Sequence, residues 1–141
     1  MKVMVINGPN LNLLGIREPE IYGSGSYAAL ARYIEGAAAD LGIEVLVRQS
    51  NHEGEIVTWI QECYGAVDAI VINPAAYTHT SVAILDALKA VALPAVEVHL
   101  SDVQTREEFR RTSYSALACK KVIAGQGFDG YRMALEFLVK G

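Results

Sequence analysis

Residues 2–10 read KVMVINGPN, an apolar run that gives way at once to a polar turn. The run at 2–6 predicts a β-strand, and Gly8 and Pro9 end it because neither residue sustains a strand ladder. Similar apolar runs predict further strands at 43–47, 69–72, 95–100 and 122–124. The same unit, a strand that stops at polar residues and leads towards a helix, therefore recurs along the chain.

Apolar residues at helical spacing follow each of the first three strands and close the chain. The first helix is predicted between Ser26, a candidate N-cap, and Gly42, a typical C-terminal stop. The second ends before Gly65, the third is capped by Thr80 or Ser81, and the last covers 130–139. Alternating strands and helices predict an open parallel sheet with helices on both faces. We expect a flavodoxin-like doubly wound α/β fold with strand order 2-1-3-4-5, formed by residues 1–141 as one domain.

Composition narrows the classes of partner. Hydrophobic residues make up 52% of the chain and charged residues 20%, which favours a compact globular protein. The net charge of −4 argues against a nucleic-acid partner, whose phosphates attract clustered Lys and Arg. The apolar runs are shorter than the roughly 18 residues that cross a bilayer, and no signal-peptide pattern opens the chain. We therefore expect a cytoplasmic protein without a membrane partner, in which Cys63 and Cys119 are free thiols.

Polar residues concentrate just after the predicted strands, where open α/β sheets bind their ligands. All three histidines of the chain lie at such positions. His99 alternates with Glu97 in an otherwise apolar strand, so both side chains point to one face. The functional interpretation is that Glu97 orients His99 for proton transfer; the alternative is a structural pair, with Glu97 held by backbone amides.

The sequence also lacks motifs typical of several cofactor-binding and catalytic sites. The turn after the first strand is neither a Walker loop nor a dinucleotide-binding glycine motif, and no Gly-x-Ser-x-Gly elbow or His-Glu-x-x-His motif is present. No lysine follows an inner strand, so imine catalysis is not expected. A cofactor is not required.

Six blocks of the sequence together resemble the type II 3-dehydroquinate dehydratases. They are INGPNLNLL (6–14), REPEIYG (17–23), QSNHEG (49–54), INPAAYTHTS (72–81), EVHLS (97–101) and REEFR (106–110). The resemblance implies a cofactor-free hydro-lyase of the shikimate pathway, which forms 3-dehydroshikimate from 3-dehydroquinate by anti elimination of water through an enolate. It also implies a homododecamer of trimers.

The resemblance further implies a role for individual residues. Tyr22 would act as the base, as a tyrosinate beside Arg17, within a lid loop at about 8–25. Asn10 would hold a water molecule at the enolate oxygen, and His99, supported by Glu97, would protonate the departing hydroxyl group. The expected substrate contacts are Asn73, His79, Leu100, Ser101, Arg110 and, from a neighbouring subunit, Asp86.

Some alternatives stay open. Arg17 and Tyr22 could be plain exposed loop residues, Asp86 an ordinary helix charge, and 106–110 a solvated helical face with i,i+4 ion pairs. A flavodoxin-like module that binds FMN or another small anion would fit the same fold. The chain also departs from the family pattern at Ala75, where glycine is usual, and at Asp102, where asparagine is common. Ala75 would be costly if its backbone has a positive φ angle, and Asp102 adds a negative charge beside a site for a carboxylate.

Overall fold

The computed structural model describes residues 1–16 and 25–141. Its five strands form one parallel sheet in the order β2-β1-β3-β4-β5, which confirms the predicted topology. The strands are β1 (Lys2–Asn7), β2 (Glu44–Gln49), β3 (Ala69–Asn73), β4 (Ala95–His99) and β5 (Lys121–Ala124). The order reverses between β1 and β3, the position at which such sheets open a ligand crevice.

In the described part of the chain, four α-helices flank the sheet: α1 (Tyr27–Leu41), α2 (Glu53–Glu62), α3 (Val82–Val91) and α4 (Asp129–Lys140). The predicted cap of α1 is confirmed, because Ser26 accepts a hydrogen bond from the Ala29 amide at 3.1 Å. Ser81 caps α3 in the same way through the Ile84 amide at 3.0 Å, which decides between the two candidate caps. Gly42 follows α1 at a φ angle of 71°, as expected of a helix stop.

The sheet has an apolar core on each face. One cluster joins α1 and α4 to the sheet through side chains such as Leu30, Ile34 and Leu135. The other joins α2 and α3 through side chains such as Ile60 and Ile84. All residues of β3 and β4 are buried, Glu97 and His99 among them. The core therefore fixes the two ionisable residues of β4 from both sides.

The chain leaving β1 passes close to the end of β3. The Gly8 amide donates to the Asn73 carbonyl at 2.8 Å, and a Cβ atom at Gly8 would lie 2.5 Å from the Pro74 carbonyl oxygen. A short 3₁₀ turn, Leu11–Leu13, follows, and Leu11 and Leu14 are buried in the core. The first part of the predicted lid segment is thus anchored to the domain. Arg17 and Tyr22 lie outside the described residues.

The charged segment after β4 is not an α-helix, although its charge spacing allowed one. It forms two 3₁₀ turns, Val103–Thr105 and Glu108–Arg111, and it contains an i,i+3 ion pair from Arg110 Nε to Glu107 Oε2 at 2.6 Å. Phe109 is 63% exposed, so the aromatic ring of this segment is not packed into the core. Within the described residues, no helix has both the length and the apolar character needed to cross a membrane. Cys63 and Cys119 are both free, as predicted.

Candidate active site

An open pocket of about 610 Å³ lies beyond the carboxyl ends of β1, β3 and β4. Three segments line it: Pro9–Leu14 after β1, Asn73–His79 at the end of β3, and His99–Arg110 at the end of β4. The pocket therefore lies at the edge where the sequence placed the polar residues.

The structure brings most of the predicted site residues together at this pocket. Those that line it are Asn10, Asn73, His79, His99, Leu100, Ser101 and Arg110. Glu97 lies behind His99 and is fully buried. Asp86 is exposed on α3 and is not part of the pocket wall of this chain.

His99 and Glu97 form a direct pair. The imidazole donates from Nε2 to Glu97 Oε2 at 2.7 Å, and His99 is 6% exposed, at the pocket wall. The i,i+2 spacing in β4 places both side chains on one face, as predicted. With Nε2 engaged by the carboxylate, Nδ1 is the ring nitrogen left to exchange a proton with a ligand.

Hydroxyl groups, rather than backbone amides, complete the surroundings of Glu97. Ser113 Oγ donates to Oε2 at 2.7 Å and Thr78 Oγ1 lies 3.0 Å from the same oxygen. Ser115 Oγ donates to Oε1. The suggestion that backbone amides satisfy Glu97 was therefore wrong, since the described partners are side chains.

These partners decide the ionisation of Glu97. Burial by itself raises the pKa of the carboxyl group, but the hydrogen bonds from His99, Ser115 and Ser113, together with the charge of His99, outweigh it. The pKa of Glu97 is consequently lowered from its ordinary value. A carboxylate, not a carboxylic acid, faces the imidazole.

A second buried network joins the ends of β1 and β3. Tyr131 reaches from α4 and donates from its hydroxyl group to Asn7 Oδ1 at 2.6 Å, while Asn73 Nδ2 donates to the Tyr131 oxygen at 2.8 Å. Burial raises the pKa of the Tyr131 phenol, and the Asn73 bond offsets this only in part. The network is neutral, and it holds the Asn73 amide in place at the pocket wall.

The backbone amide of Asn10 fixes the position of this residue at the pocket. Its φ angle is 70°, a left-handed conformation that asparagine tolerates better than most residues, and its amide donates to Asn51 Oδ1 at 3.0 Å. Gln49 Nε2 also donates to Asn51 Oδ1 at 3.1 Å and to the Gly8 carbonyl at 3.1 Å. The end of β2 thus fixes the segment after β1, so that Asn10 lies at the pocket.

His79 and Arg110 approach the pocket from opposite segments. His79 Nδ1 donates to the Thr112 carbonyl oxygen at 2.7 Å, because a carbonyl oxygen only accepts. The Arg110 side chain is 21% exposed and pairs through Nε with Glu107. A guanidinium at a pocket rim is suited to a carboxylate ligand.

Both departures from the family pattern lie beside the pocket. Ala75 has a φ angle of 53°, in the left-handed region where a Cβ atom is unfavourable, and its amide donates to Asn73 Oδ1 at 3.1 Å. Asp102 is exposed, and its Oδ1 accepts from the Gln104 amide at 3.0 Å at the start of a turn. Ala75 is therefore a strained position, whereas Asp102 has a local capping role.

Sequence reasoning assigned no role to several residues that support the site. They are Asn7, Thr78, Ser113, Ser115 and Tyr131. Asn7 and Asn73 each end a strand, and an asparagine at that position is a sequence signal for a residue at the carboxyl edge of the sheet. The structure pairs these two residues in register. Within residues 1–16 and 25–141, no group of three or more His, Cys, Asp or Glu side chains is arranged to hold a metal ion.

The chain is similar in sequence to proteins of a known family. The family model described as dehydroquinase class II matches residues 1–139. A 3-dehydroquinate dehydratase of Clostridium acetobutylicum is 56% identical over 98% of this chain and 96% of its own. Another, from Phenylobacterium zucineum, is 56% identical over 95% of this chain and 92% of its own.

Solved structures of proteins with dehydroquinase names also superimpose on this chain. The type II dehydroquinase from Butyrivibrio crossotus superimposes with a TM-score of 0.96, at 52% identity, over 98% of this chain and 97% of its own. A 3-dehydroquinate dehydratase-like protein from Bifidobacterium longum gives a TM-score of 0.73 at 33% identity, over 99% of this chain and 96% of its own. The similarity therefore extends over nearly the whole length of the chain.

Proposed function

The chain belongs to the class II dehydroquinase family, and we propose that its pocket carries out the dehydration with His99 as the proton donor. The activity is that of a 3-dehydroquinate dehydratase, a hydro-lyase of the shikimate pathway. The observation that carries the proposal is the contact of His99 Nε2 with the buried Glu97 carboxylate at 2.7 Å, at the wall of the pocket. An imidazole paired in this way can give a proton to a ligand and recover it from solvent.

The proposed reaction removes one hydrogen and one hydroxyl group from 3-dehydroquinate. Tyr22, as a tyrosinate beside Arg17, takes the proton next to the ketone and leaves an enolate. Asn10 holds a water molecule against the enolate oxygen, where negative charge develops. The enolate then expels the hydroxyl group, and His99 protonates it, so that water and 3-dehydroshikimate leave. Of the lid segment at about 8–25, the part that follows the anchored residues 8–14 closes over the substrate in this proposal.

The remaining pocket residues bind the substrate in this proposal. Arg110 pairs with the substrate carboxylate, since a guanidinium can donate two parallel hydrogen bonds. The hydroxyl groups and the ring are contacted by Asn73, His79, Leu100 and Ser101. No cofactor takes part.

A simple assay tests the proposal. The product is a conjugated enone, so ultraviolet absorbance should rise when 3-dehydroquinate is added to metal-stripped protein. Tyr22→Phe should abolish the rise, while Tyr64→Phe, a matched change at a side chain that is 75% exposed after α2, should retain it. A flat trace from the correctly folded wild type would contradict the function, and strong residual activity in Tyr22→Phe would remove that residue as the base.

We also propose a cytoplasmic homododecamer of trimers, in which Asp86 enters the pocket of a neighbouring subunit. Its exposed position on α3, away from the pocket of its own chain, supports this. The test is complementation, because His99→Ala and Asp86→Ala damage different halves of a shared site. Mixed oligomers of the two inactive variants should recover part of the activity. A mixture that stays inactive despite subunit exchange would contradict the shared site.

A further inference from the structure

Three hydroxyl groups from two separate segments enclose the Glu97 carboxylate; Thr78, Ser113 and Ser115, which supply them, are termed here the hydroxyl cage. Thr78 belongs to the turn Ala75–His79 after β3, and the two serines precede β5. Ser113 Oγ lies 2.7 Å and Thr78 Oγ1 lies 3.0 Å from Glu97 Oε2, and Ser115 Oγ contacts Oε1. The hydroxyl cage therefore depends on the tertiary fold, because its three residues are distant from Glu97 in the sequence.

The donors of the cage match an ionised carboxylate. The carboxylate has about four acceptor sites, and His99 Nε2–H, Ser113 and Ser115 each donate to it. Thr78 Oγ1 lies within hydrogen-bond distance of Glu97 Oε2 and also contacts the hydroxyl groups of both serines, so it links the cage as well as facing the carboxylate. The Ser113 oxygen already accepts from the Ala116 amide at 3.1 Å, so its own proton is available to Glu97. A protonated Glu97 would be a donor itself and would have to turn one of these groups around.

Burial makes two of these hydroxyl groups, those of Thr78 and Ser115, hard to replace, whereas Ser113 is only partly buried. Glu97 and Ser115 are 0% exposed and Thr78 is 1% exposed. Water therefore does not readily take the place of a hydroxyl group that is removed. A buried carboxylate that loses a donor becomes easier to protonate.

We propose that the hydroxyl cage consists of positioning residues, which hold Glu97 as a carboxylate against His99 and so set the lower limit of the pH range in which His99 acts. This role rests on the proposed function of His99 as the proton donor. The cage itself touches no substrate in this proposal. It acts through Glu97 on the imidazole.

The other titratable and charged groups around Glu97 do not supply this control. Cys119, which follows the serines, is uncharged, because burial and the nearby Glu97 charge raise its pKa to about 12. His79, from the turn after β3, is bonded to the Thr112 carbonyl. Asp86 and Lys89 lie on the exposed side of α3, and Lys121 of β5 lies over the Phe137 ring.

Ser115→Ala tests the proposal through the pH dependence of kcat/KM. Loss of one hydrogen bond to a charged group should move the acidic limb of the profile upward by about one pH unit. Ser81→Ala is the matched control, since Ser81 is also buried but its hydroxyl group caps α3. The control should lose stability without moving the limb. An unmoved limb in Ser115→Ala would overturn the proposal.

A second pair of variants covers the case in which Ser115→Ala does not fold. Thr78→Val removes the hydroxyl group and keeps the shape of the side chain, whereas Thr78→Ser keeps the hydroxyl group. Thr78→Val should raise the acidic limb, and Thr78→Ser should leave it at the wild-type position. Equal profiles for the two variants would contradict a role of the hydroxyl group.

A direct titration separates this proposal from the proposed function. The carboxyl carbon of Glu97, followed by NMR with carbon-13 labelling in the absence of substrate, should titrate at higher pH in Ser115→Ala and Thr78→Val than in the wild type. If His99→Ala retained full activity, the proposed function would fail, yet this titration would still decide the role of the cage. An unchanged Glu97 titration in both variants would contradict it.

Discussion

Two buried polar networks lie side by side at the carboxyl edge of the sheet, and they differ in charge. At the ends of β1 and β3, Asn7, Tyr131 and Asn73 form a neutral chain of hydrogen bonds. At the end of β4, Glu97 and His99 form a pair in which the carboxylate is ionised. Both sets are almost fully buried, so neither is an ordinary surface contact.

In the proposed mechanism, the neutral network holds the pocket in shape, whereas the charged pair moves a proton. A neutral, satisfied network fixes the shape of the pocket and does not change between moderately acidic and neutral pH. A buried carboxylate is costly unless it is well paired, and it is rarely the most stable choice for a core. The charged network of β4 is therefore the one expected to respond to pH and to take part in the reaction.

The largest effect is expected for Glu97→Gln. The variant keeps the volume of the side chain but removes the charge that supports a protonated His99, and kcat/KM should fall by roughly 10²-fold or more. Steady-state rates with 3-dehydroquinate measure this, with Glu35→Gln as the matched control at an exposed position of α1. Wild-type rates in Glu97→Gln would remove the functional difference between the two networks.

Tyr131→Phe tests the neutral network through stability. It deletes the hydroxyl group that Asn7 and Asn73 share, and unpaired buried amides should lower the free energy of unfolding by about 2–3 kcal/mol. Urea denaturation measures the loss, and Tyr64→Phe at an exposed site is the control. A loss below about 0.5 kcal/mol, the range of surface substitutions, would mean that the network does not hold the strand ends together.

The pH dependence of stability distinguishes the two networks directly. Because the pKa of Glu97 is lowered by folding, its contribution is present above its unfolded pKa, near 4.5, and is lost as pH falls through the folded value. The pKa of Tyr131 is raised, so its contribution persists until pH rises above about 10, its unfolded value. Unfolding free energies below pH 4.5 should therefore fall less steeply for Glu97→Gln than for the wild type.

Tyr131→Phe should instead follow the wild-type curve in acid, displaced downward by a constant amount. Urea titrations at a series of pH values measure both variants under the same conditions. A parallel curve for Glu97→Gln would indicate that the carboxyl group has the same pKa in the folded and unfolded chain. That result would make the two networks equivalent.

The smallest effect is expected for Ala75→Gly, beside the Asn73 amide. Relief of the positive φ angle of 53° should raise the free energy of unfolding by about 0.5–1 kcal/mol, net of the greater freedom of glycine in the unfolded chain. Ala92→Gly is the matched variant, since Ala92 follows α3 at a φ angle of 56°, where glycine is favoured. Similar gains would assign both to backbone strain, whereas a loss only at Ala75 would reveal packing that the methyl group supplies at the pocket.

Local patterns predicted the fold and much of the site. The recurring strand and helix units gave the topology, and the alternation of Glu97 with His99 placed both side chains on one face of β4. The caps of α1 and α3 also follow from short-range chemistry. Such features depend on residues that are close in sequence.

The supporting residues come from distant parts of the chain, which explains why sequence reasoning did not find them. Ser115 is 18 positions from Glu97, and Tyr131 is 124 positions from Asn7. Tyr131 lies on the apolar stripe of α4 and looks like a core residue until its hydroxyl group is located. The segment 106–110 shows that a local pattern can also mislead. Its charges have helical spacing, but charge spacing does not make a helix without an apolar face to bury, and the segment forms a 3₁₀ turn.

The central claim is that the charged network at β4 protonates the leaving hydroxyl group. The most direct test is the rate of enone formation from 3-dehydroquinate by His99→Ala, compared with His52→Ala, an exposed histidine at the same edge of the sheet. We expect a loss of about 10²- to 10⁴-fold for His99→Ala, the usual contribution of a general acid, and a rate near wild type for His52→Ala. Equal rates in the two variants would show that the proton comes from elsewhere.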